Sequence, residues 1–334
     1  MDLSTRYLGF ELPHPFMNGA SPLAENLDRV RRLEDAGSAA IVMNSLFEEQ
    51  IARESLAISR SMDAHGESFA EAMSYFPSPD QFVLGPEEYL EQIRRIKAAV
   101  RIPVIASLNG TTVGGWLSYA RQIQQAGADA LELNIYYIPT DPEETGDAVV
   151  ARTVEMVAEV RKAVTIPLAV KLSPYYTSIA NVAKRLVQAG ARGLVLFNRF
   201  YQPDIDVEEL EVVQTLNLSD SHALPPRLRA LAMLSGRIQA DLAVTGGVHT
   251  PMDGLKAVMC GANAVQMVAA LLIHGTAQLT HVRNEVARWL EEHEYESLRQ
   301  AQGSMSLNNC PDPSAFERAN YMHILRSWEG SAHL

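Results

Sequence analysis

Apolar residues along the chain come in short bursts separated by longer amphipathic stretches. Four segments share one form: "EDAGSAAIVMN" (34–44), "QQAGADALELN" (124–134), "VQAGARGLVLFN" (187–198) and "VMCGANAVQMV" (258–268). Each closes a helical pattern on a Gly, the residue that tolerates a left-handed helix cap, and then enters a brief apolar strand. "IPVIASLNG" (102–110), "IPLAVKLSP" (166–174) and "ADLAVTGGV" (240–248) add three strands, and "HPFMNGA" (14–20) opens the series, making eight. Between them, "GPEEYLEQIRRIKAAV" (85–100), "WLSYARQIQQAG" (116–127) and "SIANVAKRLVQAG" (178–190) have helical periodicity, and "TAQLTHVRNEVARWLEEHEY" (276–295) follows the last strand. Such alternation predicts a parallel sheet covered by helices, and eight units favour a closed (β/α)8 TIM barrel over the runner-up, a doubly wound open sheet.

The chain has 334 residues, and no linker or low-complexity segment divides it. One barrel over 1–295 is expected, with two long non-barrel stretches. Residues 46–84 would lie above the C-terminal end of strand 2 as an active-site or lid region, and 296–334 would be an extension packed on the barrel. A hydrophobic content of 47% supports a substantial core, and a net charge of -12 argues against nucleic acid or an anionic membrane as partner. Cys260 and Cys310 are far apart and lack metal-ligand spacing, so neither a disulfide framework nor a metal site is expected. The N-terminus lacks the basic and apolar regions of a signal peptide, and the longest apolar run, 265–273, is too short to span a membrane. These features predict a soluble, cytoplasmic protein.

Strand parity locates the chemistry. Placing Leu131, Leu133 and Ile135 outward leaves Ala130, Glu132 and Asn134 inward; placing Leu168, Val170 and Leu172 outward leaves Ala169, Lys171 and Ser173 inward. A lysine therefore points into the barrel near its C-terminal mouth, with Glu132 below Asn134 as a structural partner. Asn44, Asn109, Asn134 and Asn198 lie at the same ends of strands 2, 3, 4 and 6. Convergent polar groups at that face read as a site, because a buried charge needs a partner or a function. Gly246 and Gly247 follow strand 7 and precede a helix, where barrels commonly bind phosphate through backbone N–H groups.

"FMNGA", the "ELN" of strand 4, "VKLSPY" of strand 5, and "TGGV" with "DGLKAVMCGANAVQM", taken in order, resemble the dihydroorotate dehydrogenase family. The likeness covers roughly residues 1 to 295 and is closer to the soluble class. It implies an FMN-containing (β/α)8 barrel that oxidises a CH–CH bond, conventionally dihydroorotate to orotate in pyrimidine biosynthesis. Lys171 matches the lysine beside the flavin N1/C2 edge, where it stabilises the charge of reduced flavin. Asn134 and Asn198 match amides near flavin and substrate, while Ala20 and Ser21 match the strand 1 exit along the flavin. Gly246 and Gly247 match the phosphate glycines, with Val268 and Ala269 as a second clamp; there the family has a Gly-Thr pair.

Other positions depart from the family. Its strand 4 motif N-L-S-C-P-N reads "NIYYIP" here, so Tyr137 stands where the cysteine base would be and Pro139 replaces a substrate asparagine. The strand 2 motif T-K-S reads "MNS", so its lysine is Asn44, and the loop N-S-M-G-L-P-N aligns only loosely with "EAMSYFP" (71–77). Tyrosine has an ordinary pKa near 10, so as a base it needs help from its surroundings. The expectation is an FMN-dependent oxidoreductase with an altered small-molecule substrate, with Tyr137 and Lys171 as its catalytic candidates. Asn44 and Asn109 join the cofactor-binding set. Two other readings stand beside it: a flavin-free lyase or aldolase using Lys171, and a non-catalytic flavin-binding partner protein. A homodimer and an electron-transfer partner protein are left open.

Overall fold

The helix-capping glycines set the rhythm of the chain. Gly37, Gly127, Gly190 and Gly261 all have positive φ, between 81° and 112°, and each turns a helix end into the next strand. In the computed structural model, residues 1–51, 85–110, 117–213, 215–317 and 321 are described. An N-terminal hairpin, β1 (Thr5–Tyr7) and β2 (Phe10–Leu12), precedes the barrel strands β3 (Phe16–Asn18), β4 (Ile41–Phe47), β5 (Val104–Asn109), β6 (Ala130–Asn134), β7 (Leu168–Leu172) and β8 (Gly193–Leu196). A second hairpin, β9 (Asp204–Asp206) and β10 (Glu211–Val213), leads to β11 (Asp241–Thr245) and β12 (Ala264–Met267). The eight-stranded sheet has the order β3-β12-β11-β8-β7-β6-β5-β4 with parallel neighbours. This is the (β/α)8 barrel that the strand–helix repeat predicts.

The helices are α1 (Leu27–Asp35), α2 (Pro86–Ala99), α3 (Leu117–Gln125), α4 (Gly146–Ala163), α5 (Ile179–Gln188), α6 (Pro225–Leu234) and α7 (Pro251–Met259). A short α8 (Ala269–His274), then α9 (Ala277–Glu292) and α10 (Leu298–Ala301), follow β12. Local side chains start several of them: Asn26 accepts from Arg29 N–H at 2.9 Å, and Thr250 with Asp253 forms a capping box on α7. None of the described helices is long and apolar enough to cross a membrane.

Alternation sorts the core into two. Leu131, Leu133, Leu168, Val170 and Leu172 pack between sheet and helices, each contributing roughly 1.5–3 kcal/mol by its burial. Ala130, Ala169, Met17, Val42, Ile105, Val195, Ala243 and Ala264 fill the barrel's interior at its N-terminal end. Small alanines leave room there for a plug. The plug is the β1–β2 hairpin, whose turn residues Leu8 and Gly9 have φ of 53° and 89°, as a two-residue hairpin turn of this twist requires. Tyr7, Leu8 and Leu12 join the inner cluster.

The ring closes between β3 and β4 through a side chain. Asn18 donates to Val42 O at 2.7 Å and accepts from Val42 N–H at 3.3 Å, in place of a neighbouring peptide. Ala39 N–H adds a bond to Phe16 O at 3.0 Å. Strand β4 carries one extra residue, since Val42 faces Ile105 whereas Ser45 faces Ser107. Of the stretch 46–84, residues 52–84 lie outside the described residues, as do 71–77 within it. The described part of the C-terminal stretch lies on the barrel: Leu298 N–H bonds Asp2 O, and Met305 N–H bonds Met259 O.

Candidate active site

Above the alanine layer the barrel interior turns polar. Glu132 is fully buried on β6. Lys171 Nζ lies 3.3 Å from its Oε1, and Gln266 on β12 reaches across to donate to Oε2 at 2.7 Å. Both carboxylate oxygens are thus partnered, as a buried charge requires. Glu132 is the only hydrogen-bond partner of Lys171 Nζ among the described residues, so the ammonium keeps N–H groups for the mouth. Ser45 and Ser107 share a hydrogen bond of 2.8 Å.

The next layer carries the amides. Asn109 and Asn134 are register partners on β5 and β6 and are nearly buried. Asn198, just beyond β8, donates to Ile135 O at 3.3 Å and Lys171 O at 3.4 Å, fixing the exits of two strands. Among the described residues, three acceptors of this site have no partner: Oδ1 of Asn44, at the β4 bulge, Oδ1 of Asn134 and Oε1 of Gln266. A buried acceptor left empty costs about 1–3 kcal/mol, which a ligand bearing N–H or O–H groups would recover. Ser21 Oγ donates to Gly19 O at 2.9 Å and is buried, while Ala20 packs half-buried against the inner cluster. Gly19 must be small, because a Cβ there would stand 2.8 Å from Val268 Cγ2.

After β11, Gly246 and Gly247 have φ of 84° and 83°. A Cβ on Gly247 would lie 2.5 Å from Leu224 N, so the loop folds tightly over the start of α6. Arg227 secures it from below by donating to Thr245 O at 2.6 Å. Val268 stands at the entry of α8 and Ala269 is its first residue. This bare-backbone cradle suits a phosphate, and the empty acceptors suit a polar ring. The residues present therefore fit FMN.

Tyr137 belongs to a second cluster, on the loop after β6. Its hydroxyl donates to Glu144 Oε2 at 2.6 Å, Arg152 holds Glu144 Oε1 at 2.8 Å, and the guanidinium lies 4.1 Å above the Tyr137 ring. Beside it is a cavity of about 500 Å³, reached by the exits of β6, β7 and β8. Ser173, two residues beyond Lys171 on the same face, lines it, as does Pro139. Tyr136, next along the loop, stacks on Phe200 with centroids 4.3 Å apart.

Comparison with known proteins decides the lineage. A family model described as Dihydroorotate dehydrogenase matches residues 83–290. The chain belongs to the dihydroorotate dehydrogenase family. It is 26% identical over 314 residues to the dihydroorotate dehydrogenase B (NAD(+)) catalytic subunit of Thermoplasma acidophilum, covering 90% of this chain and 98% of that one. It is 31% identical to a putative dihydroorotate dehydrogenase A (fumarate) of Aeropyrum pernix, over 60% of this chain and 67% of that one. The chloroplastic dihydropyrimidine dehydrogenase (NADP(+)) of Arabidopsis thaliana is 22% identical, over 90% of this chain and 76% of that one.

Membership places the chain among oxidoreductases. Some site residues escape a reading from sequence. Gln266 was accessible from parity, since Val265 and Met267 flank it on the outer face. Glu144 and Arg152 carry no such signal, because a loop and a helix turn bring them back to Tyr137.

Proposed function

We propose that the protein is an FMN-dependent oxidoreductase that removes two hydrogens from a CH–CH bond of a small molecule other than dihydroorotate. The observation that carries this is the contrast between the two halves of the barrel mouth. Lys171, Asn134, Gln266 and the Gly246–Gly247 cradle support a cofactor half like the family's, whereas Tyr137 and Pro139 stand where the family has its base and a substrate amide.

In this reading Asn44, Asn109, Asn134, Asn198 and Gln266 hold the flavin ring, with Ala20 and Ser21 along it. Gly246, Gly247, Val268 and Ala269 offer N–H groups to its phosphate. Bound FMN supplies the two-electron acceptor. Lys171, kept in place by Glu132, presents a fixed positive charge to the ring. Tyr137 is the base: its oxygen takes the proton from the donor carbon while its own proton moves to Glu144 along their 2.6 Å hydrogen bond. Glu144 thereby answers the high ordinary pKa of a phenol, since the proton ends on a carboxylate rather than leaving a bare phenolate. Arg152 keeps Glu144 aligned for that transfer.

The same reading places the enzyme in the cytoplasm as a barrel over 1–295 with its extension. Re-oxidation falls to a small acceptor or a partner protein. Dihydroorotate, mixed anaerobically with the purified protein, is expected to leave the flavin absorbance unchanged on the seconds timescale. Conversion to orotate at an ordinary enzymatic rate would overturn the altered-substrate reading.

A further inference from the structure

Resting on the oxidoreductase reading above, we propose that the cavity beyond β6, β7 and β8 is the donor's seat and that it takes an uncharged, planar ring compound. The walls are the first reason. Phe200 is braced on one side by the stacked Tyr136 and meets Tyr175 edge-on, with centroids 5.1 Å apart and planes at 71°. Tyr175 is in turn fixed by Gln202, which donates to its hydroxyl at 2.9 Å. Rings held at such angles present a flat face and an edge, the arrangement that a planar guest completes by stacking.

Charge is the second reason. Among the described residues that line the cavity, none is an acid or a cation. The nearby charges stand outside that lining: Glu144 and Arg152 pair with one another beside the Tyr137 ring, Arg199 lies 5.2 Å from the Tyr201 ring centroid, and Lys171 is held by Glu132. A carboxylate entering this space would lose water without meeting a charged partner among the described residues that line it. A neutral ring would find Ser173 and Gln202 for its polar edge. The volume of about 500 Å³ lies within the range of pockets that enclose drug-sized ligands. Ser173, which lines the cavity, follows Lys171 by two residues on the same face of that strand's exit, which links the cavity to the polar layer of the barrel.

A matched pair of probes tests this: 2-naphthamide and 2-naphthoate, equal in shape and opposite in charge state. Their affinities for the purified full-length chain, with whatever cofactor it carries, are measured by calorimetry. The amide is expected to bind at least tenfold more tightly. Phe200→Ala should weaken it roughly three- to tenfold, and so should Tyr175→Ala, at a site 65% exposed whose truncation leaves the core intact. Ile138→Arg, on the exposed rim, should shift the preference toward the acid. Equal or tighter binding of 2-naphthoate, binding of neither probe, or amide binding indifferent to both truncations would overturn the proposal. A colourless protein that still prefers the amide would sink the flavin reading and leave this one standing. A yellow protein that prefers the acid would do the reverse.

Discussion

In the proposed chemistry Tyr137 takes the proton from the donor. Its hydroxyl already donates to a carboxylate, so removing it breaks the proposed relay without touching the polar layer inside the barrel. Tyr137→Phe is expected to lower turnover of the true donor by about 10²–10⁴-fold with FMN content unchanged; stopped-flow reduction measures it, and unchanged turnover would leave Tyr137 a wall. Lys171→Met strands a fully buried carboxylate and should cost about 3–5 kcal/mol in urea unfolding, while the Glu132→Leu/Lys171→Met pair should recover most of that stability yet not flavin reduction. Lys171 and Asn134 were legible because strand parity alone fixes their direction. Glu144 was not, since its partnership with Tyr137 depends on the path of the loop between them. Nor was the empty acceptor of Asn44 legible, because an extra residue in β4 breaks the alternation there.

At the scale of elements, tight turns and the seam hold the site in shape. Gly247→Ala forces a Cβ against the Leu224 backbone at a φ of 83°, so the glycine cradle proposed to hold phosphate must open. The expected result is FMN affinity lowered by an order of magnitude or more and read by ultrafiltration, with Gly275→Ala, which meets no neighbour within 4 Å, as the control for positive-φ strain alone. Asn18→Ala removes the two seam bonds that Asn18 makes and leaves the Val42 peptide unpaired, costing about 2–4 kcal/mol in unfolding stability. The eight barrel strands were readable because each is an apolar burst, four of them entered from a helix-ending glycine. The two hairpins were missed for a common reason. With three residues per strand, β1, β2, β9 and β10 are too short to show a period, and nothing around Tyr7 and Leu8 marks them as buried until the barrel interior is seen to need a plug.

At the scale of the whole molecule, His14 acts as a buried switch of stability. His14 accepts from Phe16 N–H at 3.2 Å, and burial, reinforced by Arg283, lowers its pKa from 6.5 to about 4. Between those values the unfolded chain binds a proton that the native one refuses, so this contribution to stability is fully present above pH 6.5 and is lost as pH falls toward 4. The loss amounts to roughly 3 kcal/mol, and His14→Asn, which keeps an acceptor, should flatten the urea midpoint against pH across that window. The barrel, the polar layer and the glycine cradle are all arranged as a flavin site would need. The most direct measurement is the visible spectrum of the purified protein, with identification of any chromophore released on denaturation. A yellow protein releasing about one FMN per chain is the result predicted here; a colourless chain that takes up no added FMN would contradict it.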